Sequence, residues 1–364
     1  MSKPAILYLN IGPSERIPQM TLAGIRRYAA VRGWEAEAFS SEESSVKAIP
    51  ALLASRAPVA GCIYGCSNDT IAPPSAFMGI PVVYLHAMRT PRGANVARIP
   101  TDNAAVAATA FRELSAGRPS AFAIVGHARG QGWSVERKRV FAALASNDGA
   151  ECRAFPHRRT EAPSARAERL AAWVAALPRR TAVFAVNDVV AAEVIAAAKA
   201  SYRSIPRELT LIGVDNLPHI CDASNPTISS IQIDFERAGY VAARMIGEGA
   251  ISAPASVGPL LAVQRRSTGG SGRREAFVLE AVEMIRREAC DGLTADRLAK
   301  RFPCSRRLFE MRFREATGHS VLEEIQHVRL EKVCTLLSQT DRAIGAIADM
   351  CGYRSGIALK WIFR

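Results

Sequence analysis

Two hydrophobic rhythms divide the chain. From Ala5 to about Ile233, short runs of branched and aromatic residues alternate with longer Ala-rich amphipathic stretches. The short runs predict strands at Ala5–Leu9, Glu35–Phe39, Val59–Tyr64, Val82–Leu85, Ala121–Val125, Ala182–Ala185 and Leu211–Val214. The stretches with apolar residues at helical spacing predict helices at Met20–Arg32, Val46–Ser55, Asn103–Ala116, Ser134–Ser146, Ala165–Leu177, Val189–Ala200 and Phe235–Gly247. Strand–helix alternation of this kind implies βαβ units, hence parallel sheets with helices on both faces. Ligands bind such sheets beyond the carboxyl ends of the strands, so polar residues just after each strand are the candidate site.

After one more strand, Leu260–Val263, comes Ser267-Thr268-Gly269-Gly270-Ser271-Gly272, a flexible linker by composition. No Gly-Lys-Ser/Thr follows, so it is not a phosphate loop. Beyond it the pattern is helical only: Arg274–Ala289, Thr294–Arg301, Ser305–Thr317, Val321–Ser338, Ala343–Met350 and Ser355–Arg364. Thr294, Ser305 and Ser320 are placed to cap helix starts, and Gly318 and Gly352 to follow helix ends.

An internal repeat lies in this second part. Leu298-Ala299, Pro303-Cys304-Ser305, Phe309 and Phe313 find counterparts in Ile347-Ala348, Gly352-Tyr353, Ser355, Leu359 and Phe363. In each copy a short helix with a small Ala meets a tight turn, and a Ser-capped helix follows that buries an i, i+4 apolar pair. That is helix-turn-helix logic, with one face of the second helix left free to enter a major groove. On the first such helix Arg306, Arg307, Arg312 and Arg314 stand with Glu310, and arginine suits both guanine edges and phosphates. The helix between the copies, near 27 Å at ~1.5 Å per residue, can hold two readers about one DNA turn apart. An all-helical dimerisation module with solvated arginines is the competing structural reading.

Charge and composition narrow the classes. The 364 residues carry a net charge of +13, which favours a polyanionic partner. Yet 17 Lys/Arg against 13 Asp/Glu beyond residue 272 leave only +4 there and +9 in the first part, so the local arginine cluster, not net charge, marks the reader. The eight cysteines form no Cys-x-x-Cys pair, and no Cys/His group has zinc spacing, so free thiols of a reducing compartment are expected. The six histidines (86, 127, 157, 219, 319 and 327) are scattered. No nucleophile elbow, His-Glu-x-x-His or phosphate loop appears, so neither an enzyme nor a bound cofactor or metal is expected. The apolar run at Ala5 is too short for a signal-peptide core, and no stretch of about 18 apolar residues occurs. A cytoplasmic protein is expected.

Two resemblances follow from these residues. Thr294–Arg364 resembles the AraC-type DNA-binding domain: Leu298-Ala299 through Arg306-Arg307, with Phe309, Phe313 and Thr317-Gly318, is similar to its first reader. Arg329-Leu330-Glu331-Lys332 is similar to its connecting helix, and Ile344, Ile347-Ala348, Cys351-Gly352-Tyr353 and Ser355 to its second reader. The resemblance implies DNA contacts at Ser305, Arg306, Arg307, Glu310, Arg312 and Arg314, and at Arg354, Ser355, Gly356, Ile357 and Lys360. The chain stops at Phe363-Arg364, short of the family's last turn and helix. That reads as a truncated end and implies a loosely docked second reader.

Residues 1–268 resemble the sugar-binding core of the lactose/galactose repressors, itself akin to periplasmic binding proteins. The carrying segments are Ile80-Pro81-Val82-Val83, Asp102-Asn103, Arg137 with Phe141, Ala185-Val186-Asn187-Asp188, Ile205-Pro206 with Leu209, Ile212-Gly213-Val214-Asp215-Asn216, Pro226-Thr227-Ile228-Ser229-Ser230-Ile231 and Arg265-Arg266-Ser267-Thr268. The implied fold is an α/β sensor of two doubly wound parallel-sheet subdomains (1–268), a linker (269–273) and an all-α domain with two helix-turn-helix motifs (274–364). A sensor of this type ahead of an AraC-type reader resembles bacterial xylose-operon activators. The ligand residues carried over are Asp102, Arg137, Asn187 and Asp215, with Asp188 beside them, whose carboxylates, carboxamide and guanidinium suit a polyol, and Trp133, in the Gly-rich Gly130-Gln131-Gly132 loop, is placed to stack on a sugar ring. Competing structural roles stay open: Asp102 and Asp188 as helix caps, Asp215 as a turn former, and Trp34 as a core residue. The expected partners are double-stranded DNA, a monosaccharide, a second copy of the chain and RNA polymerase, with no membrane. A non-regulatory sugar-binding protein of the periplasmic type is the alternative.

Overall fold

A computed structural model of the chain describes residues 3–12, 16–56, 58–66, 71–89, 91–158, 160–249, 254–270 and 273–353, with Ser355 and Leu359. It divides into two compact units, Met1–Gly272 and Arg273–Arg364. The first runs β1 (Ala5–Ile11), α1 (Arg16–Arg32), β2 (Glu35–Ser40), α2 (Ile49–Ser55), β3 (Val59–Gly65), β4 (Val82–Leu85), β5 (Val96–Ile99), α3 (Asn103–Ser115), β6 (Ala121–Val125) and α4 (Gly132–Asn147). It continues β7 (Cys152–Ala154), α5 (Pro163–Ala175), β8 (Thr181–Ala185), α6 (Asp188–Ala200), β9 (Leu209–Val214), α7 (Pro218–Cys221), β10 (Ser229–Ile233), α8 (Phe235–Gly247) and β11 (Pro259–Val263).

Two sheets result, ordered β2-β1-β3-β4-β5 and β11-β10-β9-β8-β6-β7. Every pairing is parallel except β10 with β11. The order reverses at β1 in one sheet and at β6 in the other, so both halves share one winding plan and each has a switch point where the flanking loops part. The strands β1, β4, β6 and β8 are almost wholly buried, because a sheet covered on both faces needs continuous apolar runs.

The chain crosses between the halves three times, and the crossings lie side by side. The Asp102 amide donates to Val257 O (2.8 Å), Val257 N to Pro100 O (3.0 Å), and Asp234 N to Gly258 O (3.2 Å). Beyond each of the first two crossings a new helix starts on an aspartate cap: Asp102 accepts from Ala105 N and Asp234 from Arg237 N. Helix α3 then packs on the second half, whereas α8 returns to the first half against α1, β3 and β4.

Three strands are not foreseen by the apolar pattern. β5 and β7 have only four and three residues. β10 reads as polar, yet Ser229, Ser230 and Gln232 are fully buried and hydrogen-bonded. The expected flexible linker also needs correction. Ser267 is buried, its hydroxyl donating to Leu211 O (2.6 Å) and accepting from Ser229 N (2.8 Å), while Thr268 and Ser229 hydroxyls lie 2.7 Å apart. The composition is linker-like, but Ser and Thr supply the bonds that close the sheet. Gly270 N donates back to Arg265 O (2.8 Å), and Arg273 already belongs to the next helix.

The second unit is helical: α9 (Arg273–Glu288), α10 (Ala295–Ala299), α11 (Arg306–Thr317), α12 (Val321–Gln339) and α13 (Ile344–Met350). Thr294, Ser305 and Ser320 cap α10, α11 and α12, the last through a full capping box with Glu323. Gly318 ends α11 at φ +82°, a conformation that costs Gly little. Phe302 and Phe309 stack with centroids 4.9 Å apart, and Phe313 is fully buried beside them. Arg329 on α12 donates to Ala289 O (2.7 Å) and Leu293 O (3.0 Å), closing the end of α9 onto the bundle. Of the expected last helix, Ser355 is exposed, and Leu359 is buried with its amide on Ser355 O (3.3 Å). The rest of that stretch, and the expectation of loose docking, lie outside the described residues.

In the first unit α1 and α8 cross on two glycines. A Cβ on Gly24 would strike the Glu236 carbonyl, and one on Gly239 the Thr21 carbonyl. Gly239→Ala therefore forces two helix backbones apart. The expected cost is about 1–3 kcal/mol, the range for overpacking, read by chemical denaturation. A variant as stable as the wild type would show that the helices can separate freely.

Candidate functional site

A cavity of about 430 Å³ lies between the two halves of the first unit. That volume falls in the range of small-molecule sites. Its walls come from the carboxyl ends of strands at both switch points. From the first half come Tyr8 and Asn10 in β1 and Gly12 just after it, Gly65 and Cys66 at the end of β3, and His86 after β4. From the second come His127, Arg129, Gln131, Trp133 and Arg137 around the start of α4, Asn187 after β8 and Asp215 after β9. Thr101, Asn103, Ile233 and Phe235 enter from the crossings.

Arg137 is the centre of the polar network. It is only 4% exposed. Its Nε donates to Asn103 Oδ1 (2.9 Å) and its Nη1 to Val186 O (2.6 Å), while Asn103 Nδ2 donates to Glu136 (2.9 Å). The guanidinium carbon lies 5.0 Å from the Trp133 ring centroid. Burial lowers its pKa, and the charges of Asp215, Asp188 and Glu136 oppose that shift. Asp215 is held at φ +99°, an unfavourable angle for a residue with a side chain, with its amide on Ile231 O (2.9 Å). Burial raises the Asp215 pKa against the pull of Arg137.

The structure thus brings Trp133, Arg137, Asn187 and Asp215 to one cavity and sets two other candidates apart. Asp102 caps α3, and it is the next residue, Asn103, that faces the cavity. Asp188 is fully buried behind the wall, accepting from Leu217 N (2.8 Å) and the Ser230 hydroxyl (2.6 Å). Burial, and then the charge of Asp215, push its carboxyl up to about 7. Asn187 caps α6 through Val190 N (2.9 Å) while lining the cavity. Trp34 packs against the core under the Arg32 guanidinium.

Asn10 and His86 are cavity residues that the motifs did not single out, and Asn103 figures there only beside Asp102, not as a ligand residue. Asn10 and His86 directly follow a strand or end one, so the position rule was the available signal. Asn10 Nδ2 donates to Gly65 O (2.6 Å), fixing the β1–β3 switch point. His86 Nδ1 lies 2.8 Å from the Thr101 hydroxyl. Its Nε2 is buried with no hydrogen-bond partner among the described residues. Burial, and then Arg137, lower its pKa to about 4, so this imidazole is neutral at neutral pH. The cavity therefore offers a cationic fork, a carboxylate, carboxamides, a neutral imidazole and an indole face. That set can bind the hydroxyls and the apolar face of one small polyol.

In the second unit α11 presents the candidate DNA-reading face. Ser305 caps it, and Arg307 and Arg314 are exposed. Arg306 is engaged by Asp296 and by Glu310 (2.9 Å), and Arg312 lies over the Phe277 ring (5.7 Å). Arg354, Gly356, Ile357 and Lys360 lie outside the described residues. Among the described residues no helix is long and apolar enough to cross a membrane.

Comparison with known proteins bears on both units. Residues 111–268 match the periplasmic binding protein-like domain family, and residues 298–364 match a helix-turn-helix domain family. The xylose operon regulatory protein of Escherichia coli K12 is 30% identical over 268 residues, 71% of this chain and 68% of that protein. Its namesake from Haemophilus influenzae is 27% identical over 269 residues, 71% and 69% of the two chains. A solved xylose-binding transcription activator superposes with TM-score 0.60 at 24% identity, covering 100% of this chain and 96% of the other. A ribose operon repressor from Lactobacillus acidophilus gives 0.58 at 23%, covering 74% and 100%. The chain belongs to the family of the xylose operon regulatory proteins, ligand-responsive DNA-binding transcription regulators with a sugar-binding-protein-like sensor.

Proposed function

We propose that this regulator is a cytoplasmic homodimer that senses a monosaccharide of the pentose class, binds operator DNA through α11 and the motif after α13, and acts with RNA polymerase on sugar catabolic genes. The observation that carries the sugar reading is the buried Arg137 network, which lines a monosaccharide-sized cavity between the two halves. The pentose follows from the xylose relatives. A ligand that bridges both walls favours one arrangement of the halves, and it changes DNA affinity only as far as it binds one conformation better. Paired sensors would align two readers on tandem sites.

A thermal-shift screen of aldoses tests the ligand, since a molecule binding only the folded state raises the melting temperature. Xylose is expected to raise it. Arg137→Ala removes charged hydrogen bonds worth about 1.5–3 kcal/mol each, so the sugar response should be lost while basal DNA binding stays measurable. An unchanged response at the same sugar concentration would place the site elsewhere.

For DNA, Arg307→Ala should cost about 1–3 kcal/mol and relax preference at one base position, with affinity falling steeply as salt rises. Equal affinity for operator and random DNA in both proteins would refute specific reading by α11.

A pH signature belongs to the sensor itself. Asp188 holds a proton up to about pH 7 when folded, against 3.8 for the ordinary carboxyl. Between those values the folded state binds the extra proton, so this stability is complete below about 3.8 and is lost as pH rises through about 7. His86 acts with the opposite sign over 4 to 6.5, being neutral when folded and protonated when unfolded. Relative to wild type, Asp188→Asn should gain stability progressively from pH 4 to 7 in denaturant melts. A pH-independent difference would show that Asp188 is already ionised in the fold.

A further inference from the structure

In the second unit the fold gathers two imidazoles and a carboxylate that the spacing rules did not connect. His319 lies in the turn after α11, just before Ser320, the cap of α12. Glu324 and His327 are three residues apart on α12 and therefore share a face. His319 Nε2 is 2.7 Å from Glu324 Oε2, His327 Nδ1 is 3.9 Å from the same oxygen, and all three ligand atoms lie within 4.8 Å of one another. We propose that His319, Glu324 and His327 are the protein ligands of a divalent transition-metal site of the zinc class.

The donor set selects the class. Two imidazole nitrogens and one carboxylate oxygen suit zinc, cobalt, nickel or copper, whereas calcium and magnesium require oxygen cages. The geometry is near enough. Metal–ligand bonds of roughly 2.0–2.2 Å put tetrahedral donors about 3.4 Å apart. The observed 2.7 and 3.9 Å bracket that spacing, so small side-chain rotations suffice. The backbone is already fixed by the Ser320–Glu323 capping box and by the Thr317 hydroxyl, 2.7 Å from Phe313 O and 3.0 Å from His319 O. The His319 ring also packs edge-on to Phe313 at 6.2 Å. Side-chain exposures of 62% for His327, 31% for His319 and 12% for Glu324 leave a solvent side where water completes the shell. A simple His319–Glu324 hydrogen bond has no use for His327; an ion engages all three and displaces any proton they share. Once bound, it clamps the turn that ends α11 to the rod α12. The inference is independent of the sugar and DNA readings.

The test uses untagged, chelator-treated full-length protein, dialysed against zinc and, separately, cobalt. One ion per chain is expected, with a cobalt spectrum of nitrogen and oxygen ligation that lacks thiolate charge-transfer bands, and with a raised melting temperature. His327→Gln, at an exposed position, should keep the fold in chelator and weaken binding at least about tenfold, and His319→Gln should do the same. Thiolate bands, binding unchanged in the double variant, or no binding below millimolar metal would each overturn the site.

Discussion

Arg137 carries a positive charge into a place with almost no water to solvate it, and much of the first unit is arranged around that fact. Stripping water from an ion costs several kcal/mol, which must be offset by hydrogen bonds and opposite charge. Here the compensation comes from every direction. Asn103 reaches in from the start of α3, Val186 from the end of β8, and Asp215 from the end of β9. These elements belong to one half of the unit and meet at a crossing and two strand ends, so the charge ties them to one point. Two carboxyls near it are themselves pushed upward by burial, so proton occupancy there is coupled to the same buried charge. On the proposed reading, a polyol arriving there would add its oxygens to those that already surround the guanidinium.

Much of this architecture was legible from the sequence because it rests on periodicity. A strand such as Ala121–Val125 is wholly apolar, and a helix such as Phe235–Gly247 is strongly amphipathic, so each is fixed by local pattern. β10 was not, because its buried Ser230 and Gln232 look like surface residues until their partners Asp188 and Asn216 are seen. The same reason hid part of the cavity. The motif Asp102-Asn103 drew attention to its acidic member, but the cap takes Asp102 and turns Asn103 inward. In Asn187-Asp188 the outcome is reversed, with the carboxamide at the wall and the carboxylate behind it. One residue of helical phase decides such cases, and composition does not encode phase. His86 and Asn10 face the cavity through left-handed backbone at φ +62° and +58°, which no pattern of apolar positions reveals.

The helical unit shows a different economy. Its capping residues are local and were readable one by one, from Thr294 to Gly318. The state of its arginines was not, because pairing is a property of three dimensions. Arg306 is drawn into a carboxylate cluster with Asp296 and Glu310, while Arg307, its neighbour in sequence, stands exposed. Contact of Arg306 with a phosphate or base would exchange one set of anionic partners for another. Such an exchange contributes more to choosing a register than to total affinity.

The return of α8 to the first half has a consequence for synthesis. The sheet β2-β1-β3-β4-β5 is complete once residue 99 has been made, yet the helix that covers its β3 and β4 ends at Gly247. At roughly 5–20 residues per second the ribosome needs on the order of ten seconds to close that gap. During this interval the nascent first half carries an uncovered apolar sheet face, with Gly61 and its neighbours awaiting Ile246. The second half, by contrast, receives α3 before its first strand is made. The first half is begun first, yet it is closed only after every strand of the second half except β11 has been made.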